Sequence, residues 1–150
     1  MKKLFLLLVL LLSFAVFAQE SEKAAIKDVI QTSYVEGLQN EGNIDKIDAG
    51  IHPGFNLIGI DKGDEMWVLP IDDWKKRTEN AIKEGRFPRT GEDAVSVKFL
   101  DIDITGTAAV AKIEFFVGDK KMYVDYIALY KFESGWKMVN KTFYKFPEEK

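Results

Sequence analysis

Apolar and polar residues along this chain fall into three regimes. Residues 4–14 are apolar almost without a break. From Ser21 to Gln39 the apolar positions recur at Ala25/Ile26, Val29/Ile30, Tyr34 and Leu38. That spacing of three and four predicts an amphipathic helix, with Ser21 as its N-cap and Glu22 in its first turn. Gly42 ends it. Asn43 can cap a short second helix through Ala49, which Gly50 and Pro53 stop. Phe55–Ile60 and Glu65–Leu69 flank the turn-forming string Asp61-Lys62-Gly63-Asp64 and predict a hairpin. Pro70 breaks it, and Asp72 or Asp73 can cap a third helix through Glu84, closed by Gly85.

From Ala94 the period becomes two. Val95, Val97 and Phe99 are apolar on odd positions, whereas Leu100, Ile102 and Ile104 are apolar on even ones. One extra residue at Phe99-Leu100, a β-bulge, accounts for the slip in phase and bends the sheet. Three further strands follow, Thr107–Val117, Lys120–Phe132 and Trp136–Phe146, turned at Gly118-Asp119 and Glu133-Ser134-Gly135. Regular pairing across these turns puts Ala109, Ala111, Ile113, Phe115, Val124, Tyr126, Ala128, Tyr130, Trp136, Met138, Asn140 and Thr142 on one face. Val110, Lys112, Glu114, Phe116, Tyr123, Asp125, Ile127, Leu129, Val139, Lys141 and Phe143 fall on the other. The first face is the more apolar and is expected to meet the helices. Helices followed by antiparallel strands make the class α+β.

The opening segment changes the picture of where the protein acts. Lys2 and Lys3, the apolar run, and Val16-Phe17-Ala18 have the layout of a signal peptide at 1–18. Its apolar stretch is shorter than the roughly 20 residues of a membrane span, so cleavage is expected, leaving a mature single domain at 19–150 that begins at Gln19. The chain contains no cysteine. No lipid-bearing cysteine or disulfide is therefore available, and the domain is expected to be periplasmic or secreted, not a lipoprotein, and not held at a membrane after cleavage. The formal net charge of −3 argues against nucleic-acid binding, which needs a basic face.

The order of elements, with Tyr34–Ile47 (YVEGLQNEGNIDKI), His52-Pro53-Gly54-Phe55, Ile71-Asp72-Asp73-Trp74 and Gly135-Trp136-Lys137-Met138-Val139-Asn140, resembles the nuclear transport factor 2-like superfamily. Within it, the chain is most similar to the small exported proteins labelled putative lumazine-binding. The resemblance implies a cystatin-like cone: three N-terminal helices in the concavity of a strongly bent mixed or antiparallel sheet. It also implies that Tyr34 sits where isomerases of the ketosteroid type carry their oxyanion-stabilising tyrosine. Gly59 and Ala128 fall where those enzymes carry carboxylates, so two of their three roles are unfilled here.

The inner-face alanines Ala109, Ala111 and Ala128, ringed by aromatic residues, predict a small-molecule cavity. Its candidate ligand-binding residues are Tyr34, His52, Trp67, Trp74, Tyr126, Asn140 and Thr142, with Tyr130 and Trp136 nearby. A small apolar or aromatic molecule is the expected partner, without a cofactor and without catalysis. The alternative is a hydrolase or isomerase using His52, the single histidine, with Tyr34. One histidine and no cysteine cannot build a zinc site, and Asp61, Asp64 and Glu65 read as a solvated turn, so no metal is expected. Asp125 is expected to pair with Lys112 across the strands. Arg86 and Arg89 lie in a loop where they would be able to clamp an anion or simply be solvated. The apolar outer face predicts a homodimer through the sheet, and a third reading is an assembly module without ligand.

Overall fold

A computed structural model describes residues 19–147; the predicted leader lies outside the described residues. The first helix, α1, runs over 19–41, α-wound over 19–29 and wider, π-wound, over Ile30–Glu41. Ile26, Ile30, Tyr34 and Leu38 recur every fourth residue and are buried in the core. Gly42, at φ 67°, closes the helix in the left-handed region that glycine adopts without strain. Helix α2 (Ile44–Gly50) is capped as expected, the Asn43 side chain accepting from the Lys46 N–H at 3.1 Å. Its contact with α1 is close: a Cβ on Gly37 would come within 2.9 Å of the Lys46 Cβ. Helix α3 (Ile71–Lys83) starts one residue before Asp72 and two before Asp73, the expected caps. Pro70 precedes it without a side-chain cap, and Asp72 and Asp73 lie in its first turn, where negative charge favours the helix N-terminus.

Six strands form one sheet: β1 (Ile51–Ile60), β2 (Met66–Pro70), β3 (Val95–Thr105), β4 (Ala108–Val117), β5 (Lys120–Phe132) and β6 (Gly135–Lys145), in the order β2-β1-β6-β5-β4-β3. It is mixed because β1 runs parallel to β6, while all other neighbours are antiparallel. The three helices pack against it in the α+β cone arrangement. The bulge expected near Phe99-Leu100 is present. Phe99 pairs with Ile113 and Asp101 with Lys112, leaving Leu100 unpaired and 43% exposed.

Two further bulges overturn the expected faces of the last strands. Beside the Gly118-Asp119 turn, Val117 pairs with Lys120 and Phe116 with Lys121, as regular pairing requires. Phe115 then pairs with Tyr123, so Met122 is the extra residue. In the same way Leu129 pairs with Met138 but Ala128 with Asn140, so Val139 is extra. Each insertion reverses the alternation beyond it. Asp125, Ile127 and Leu129 are consequently buried beneath the helices, and Lys141 with them. Tyr126 and Tyr130, expected inside, are 43% and 51% exposed. Thr142 is also exposed, and Asn140 is half-buried with its amide donating to the Asn56 carbonyl. Ala109 and Ala111 are buried as expected; Ala128 shares the outer face with Val110, its direct partner. The expected Asp125–Lys112 pair does not form, because Lys112 stands opposite Tyr126 with its ammonium 5.4 Å from that ring.

Candidate functional site

Between α1, α3 and the sheet lies a cavity of about 340 Å³, a volume suited to a small ligand. Helix α1 supplies Tyr34 and Gln39, and α3 supplies Trp74. On the β1–β2 side the wall is Leu57 and Trp67; on the central strands it is Phe115, Tyr123 and Phe143, with Lys141 and Lys145 on β6. Trp67 lies flat because its direct partner on β1 is Gly59: a Cβ there would collide with the indole. The ring also meets Phe143 at 5.9 Å between centroids. Tyr34 contacts Trp74 edge-on at 6.3 Å and Phe115 at 6.0 Å.

A polar cluster sits among these rings. The Lys141 Nζ donates to Asp125 Oδ2 at 2.8 Å and to the Tyr34 hydroxyl at 2.7 Å. The Tyr34 O–H in turn donates to Asp125 Oδ2 at 3.0 Å. All three side chains are buried, and Asp125 Oδ1 has no hydrogen-bond partner among the described residues. The Lys141 ammonium also lies 5.0 Å from the Tyr34 ring centroid and 5.3 Å from that of Phe143, within the range where an aromatic face attracts a cation. Burial pulls the Lys141 amine below the usual lysine range, and the Asp125 carboxylate pushes it back up. Burial, then the charge of Asp125, holds the Tyr34 phenol well above its ordinary value.

The tyrosine shift has a measurable consequence. A group whose folded pKa is raised stabilises the fold fully below its unfolded value, about 10, and loses that contribution as pH rises beyond it. Lys141 acts in the opposite sense, its lowered value making stability rise with pH toward the lysine range. Tyr34→Phe is therefore expected to reduce the loss of stability above pH ~10 and to remove one late phenolate step from a titration followed at 295 nm. An unchanged titration would contradict the buried placement of this phenol.

Of the residues expected at the site, the structure brings together Tyr34, Trp67 and Trp74. Tyr126, Asn140 and Thr142 are carried away by the bulges. His52 lies outside the cavity wall: its ring stacks on Phe132 at 4.9 Å, and its Nδ1 accepts from the Gly54 N–H at 3.0 Å. It therefore does not converge with Tyr34. Regular pairing puts Lys141, Tyr123 and Phe143 on the opposite face. Their common odd-numbered phase with Asp125, Ile127 and Leu129, all apolar but for the two charges, was the available signal. Asp61, Asp64 and Glu65 are exposed at the β1–β2 turn.

Residues 21–144 match the family described as "Putative lumazine-binding". This chain belongs to that family. Solved structures show the fold. A nuclear transport factor 2-like protein of unknown function from Shewanella baltica is 23% identical, with a TM-score of 0.67 over 85% of this chain and 96% of that one. A similar protein of unknown function from Silicibacter pomeroyi is 17% identical, with a TM-score of 0.67 over 85% and 98%. One from Methylobacillus flagellatus is 22% identical, with a TM-score of 0.60 over 85% and 94%. These likenesses establish the superfamily fold for this lumazine-binding-family chain. Among curated proteins none matches it.

Proposed function

We propose that this protein is an exported small-molecule-binding domain that holds a flat aromatic ring in the cone without reacting it. The observation that carries this reading is the cavity of about 340 Å³ faced by Trp67, Trp74, Phe115, Tyr123 and Phe143. Aromatic walls suit a planar ring through stacked and edge-on contacts. The family description supports a heterocycle of the lumazine kind, and the leader-like opening at 1–18 supports export. The hydrolase or isomerase reading called on His52 and Tyr34 together, and their separation speaks for binding alone.

Titration with pteridine-2,4-dione, followed by tryptophan fluorescence, tests the reading. Saturable quenching is expected, since Trp67 and Trp74 both face the cavity. Gly59→Ala is expected to push the Trp67 indole off its seat and weaken binding about ten-fold, roughly 1.4 kcal/mol. Absence of saturable quenching by this probe and by other flat bicyclic rings would overturn the proposal.

The same reading includes dimerisation through the outer sheet face. Val110, Tyr126, Tyr130 and Tyr144 are each more than 40% exposed, whereas Ile127 and Leu129, expected there, belong to the core.

A further inference from the structure

The charged side chains that line the cavity are cationic among the described residues. Lys141 and Lys145 are the charged residues of its wall. A second concavity of about 300 Å³ adjoins it, sharing Gln39, Leu57, Trp67 and Trp74, and there the charged residues are Arg77, Arg86 and Arg89. Among the described residues no carboxylate lines either one. This stands against the chain as a whole, whose acidic residues outnumber its basic ones, 24 to 21. The local cationic lining therefore does not follow from composition. Two carboxylates stand close by: Asp125 is engaged by Lys141 and by Tyr34 through the same oxygen, and Glu84 accepts from the Arg86 Nε and Nη2 at 2.9 and 2.6 Å.

The buried Lys141 supplies a donor. An ammonium has three N–H groups; Asp125 and Tyr34 take two from Lys141. The remaining one belongs to a side chain that forms part of the cavity wall among Tyr34, Phe115 and Phe143. In surroundings this apolar, a donor discriminates strongly between a ligand that brings an acceptor and one that does not. Cationic groups around a concavity also raise the local concentration of anions and speed their arrival.

Resting on the binding function proposed above, we propose that the ligand is an anionic planar aromatic molecule: its ring lies between Trp67, Trp74 and Phe143, its acceptor atom meets the Lys141 Nζ, and the arginine-lined concavity favours its negative charge. The cavity thus selects aromatic acids over neutral and cationic rings of the same shape.

An isosteric series separates charge from shape: naphthalene-2-carboxylate, 2-naphthylmethanol and 2-naphthylmethylamine, titrated against the full mature chain by calorimetry. The carboxylate is expected to bind at least ten-fold more tightly than the alcohol, the ammonium compound most weakly, and the preference to shrink as salt is raised. Arg86→Gln with Arg89→Gln changes only exposed or half-buried loop side chains and is expected to lower carboxylate affinity about three-fold without affecting the alcohol. Lys141→Met is expected to abolish the preference. Should that variant fail to fold, Lys141→Met combined with Asp125→Asn removes both buried charges and carries the same test. Equal binding of all three compounds would overturn the charge selection while leaving the aromatic cavity a binding site. Binding of none of them, together with no quenching by pteridine-2,4-dione, would overturn the binding function itself.

Discussion

Lys141→Met is expected to destabilise the fold by about 3–5 kcal/mol, the usual loss when one partner of a buried ion pair is removed. Asp125 is fully buried, and its Oδ1 already has no partner among the described residues. Without Lys141, its Oδ2 keeps only the Tyr34 hydroxyl. The carboxylate would then face the full desolvation penalty unless it took up a proton. Asp125→Asn is expected to do less damage. The lysine left behind is already pulled down by burial and can shed its proton, so this defect should shrink as pH rises. Combining the two changes leaves no charge and should restore most of the loss. Urea denaturation of the four proteins, with a common slope against denaturant, measures the coupling between the two sites. A loss below about 1 kcal/mol in Lys141→Met would mean that the pair is not desolvated as the structure describes.

The sequence discloses this site unevenly, and the reason is local. Helix α1 is legible because its apolar residues repeat at a fixed interval, and Tyr34 therefore lands in the core. Trp67 and Trp74 lie on short elements bounded by Pro70, and both reach the cavity. The bulge at Leu100 is visible because apolar residues flank it on both phases. Met122 and Val139 give no such sign. Each is an apolar residue in a strand whose two faces both carry apolar residues, so slipping by one position leaves the pattern equally plausible. The two charges settle which phase is inside only once they are seen as partners. Asp125 and Lys141 interrupt apolar strings on diagonal positions of β5 and β6, where Asp125 pairs with Phe143 and Ile127 with Lys141. Read singly, each is a polar residue that belongs outside; read together, they neutralise each other within the core. His52 is missed for a different reason. Nothing in its neighbourhood in the sequence announces Phe132, the ring on which it stacks.

Ile127→Asp is expected to unfold the domain, and Tyr126→Asp to leave it folded. Neighbours in one strand point to opposite faces, so exchanging the same aspartate between them asks which face is the core. Ile127 has no exposure and is paired directly with Ala111 and Lys141 across the two flanking strands. An aspartate there deletes a well-packed side chain and introduces a carboxylate beside Lys141, whose bonds already go to Asp125 and Tyr34. The expected loss is about 4–5 kcal/mol or more, close to the whole stability of many domains. Tyr126 is 43% exposed, and its ring is met by the Lys112 ammonium at 5.4 Å. An aspartate there keeps a cation opposite it and should change stability by less than about 1 kcal/mol. Circular dichroism and urea melts decide the first comparison. Regular pairing from the Gly118-Asp119 turn gives the reverse outcome, with Ile127→Asp folded and Tyr126→Asp not, so the experiment tests the Met122 bulge directly. The same pair of proteins tests association. A dimer formed through Val110, Tyr126 and Tyr130 should sediment as a monomer once Tyr126→Asp places a charge at its centre, with pteridine-2,4-dione binding retained. A wild-type protein that is already monomeric at micromolar concentration would remove the outer face from the list of interfaces.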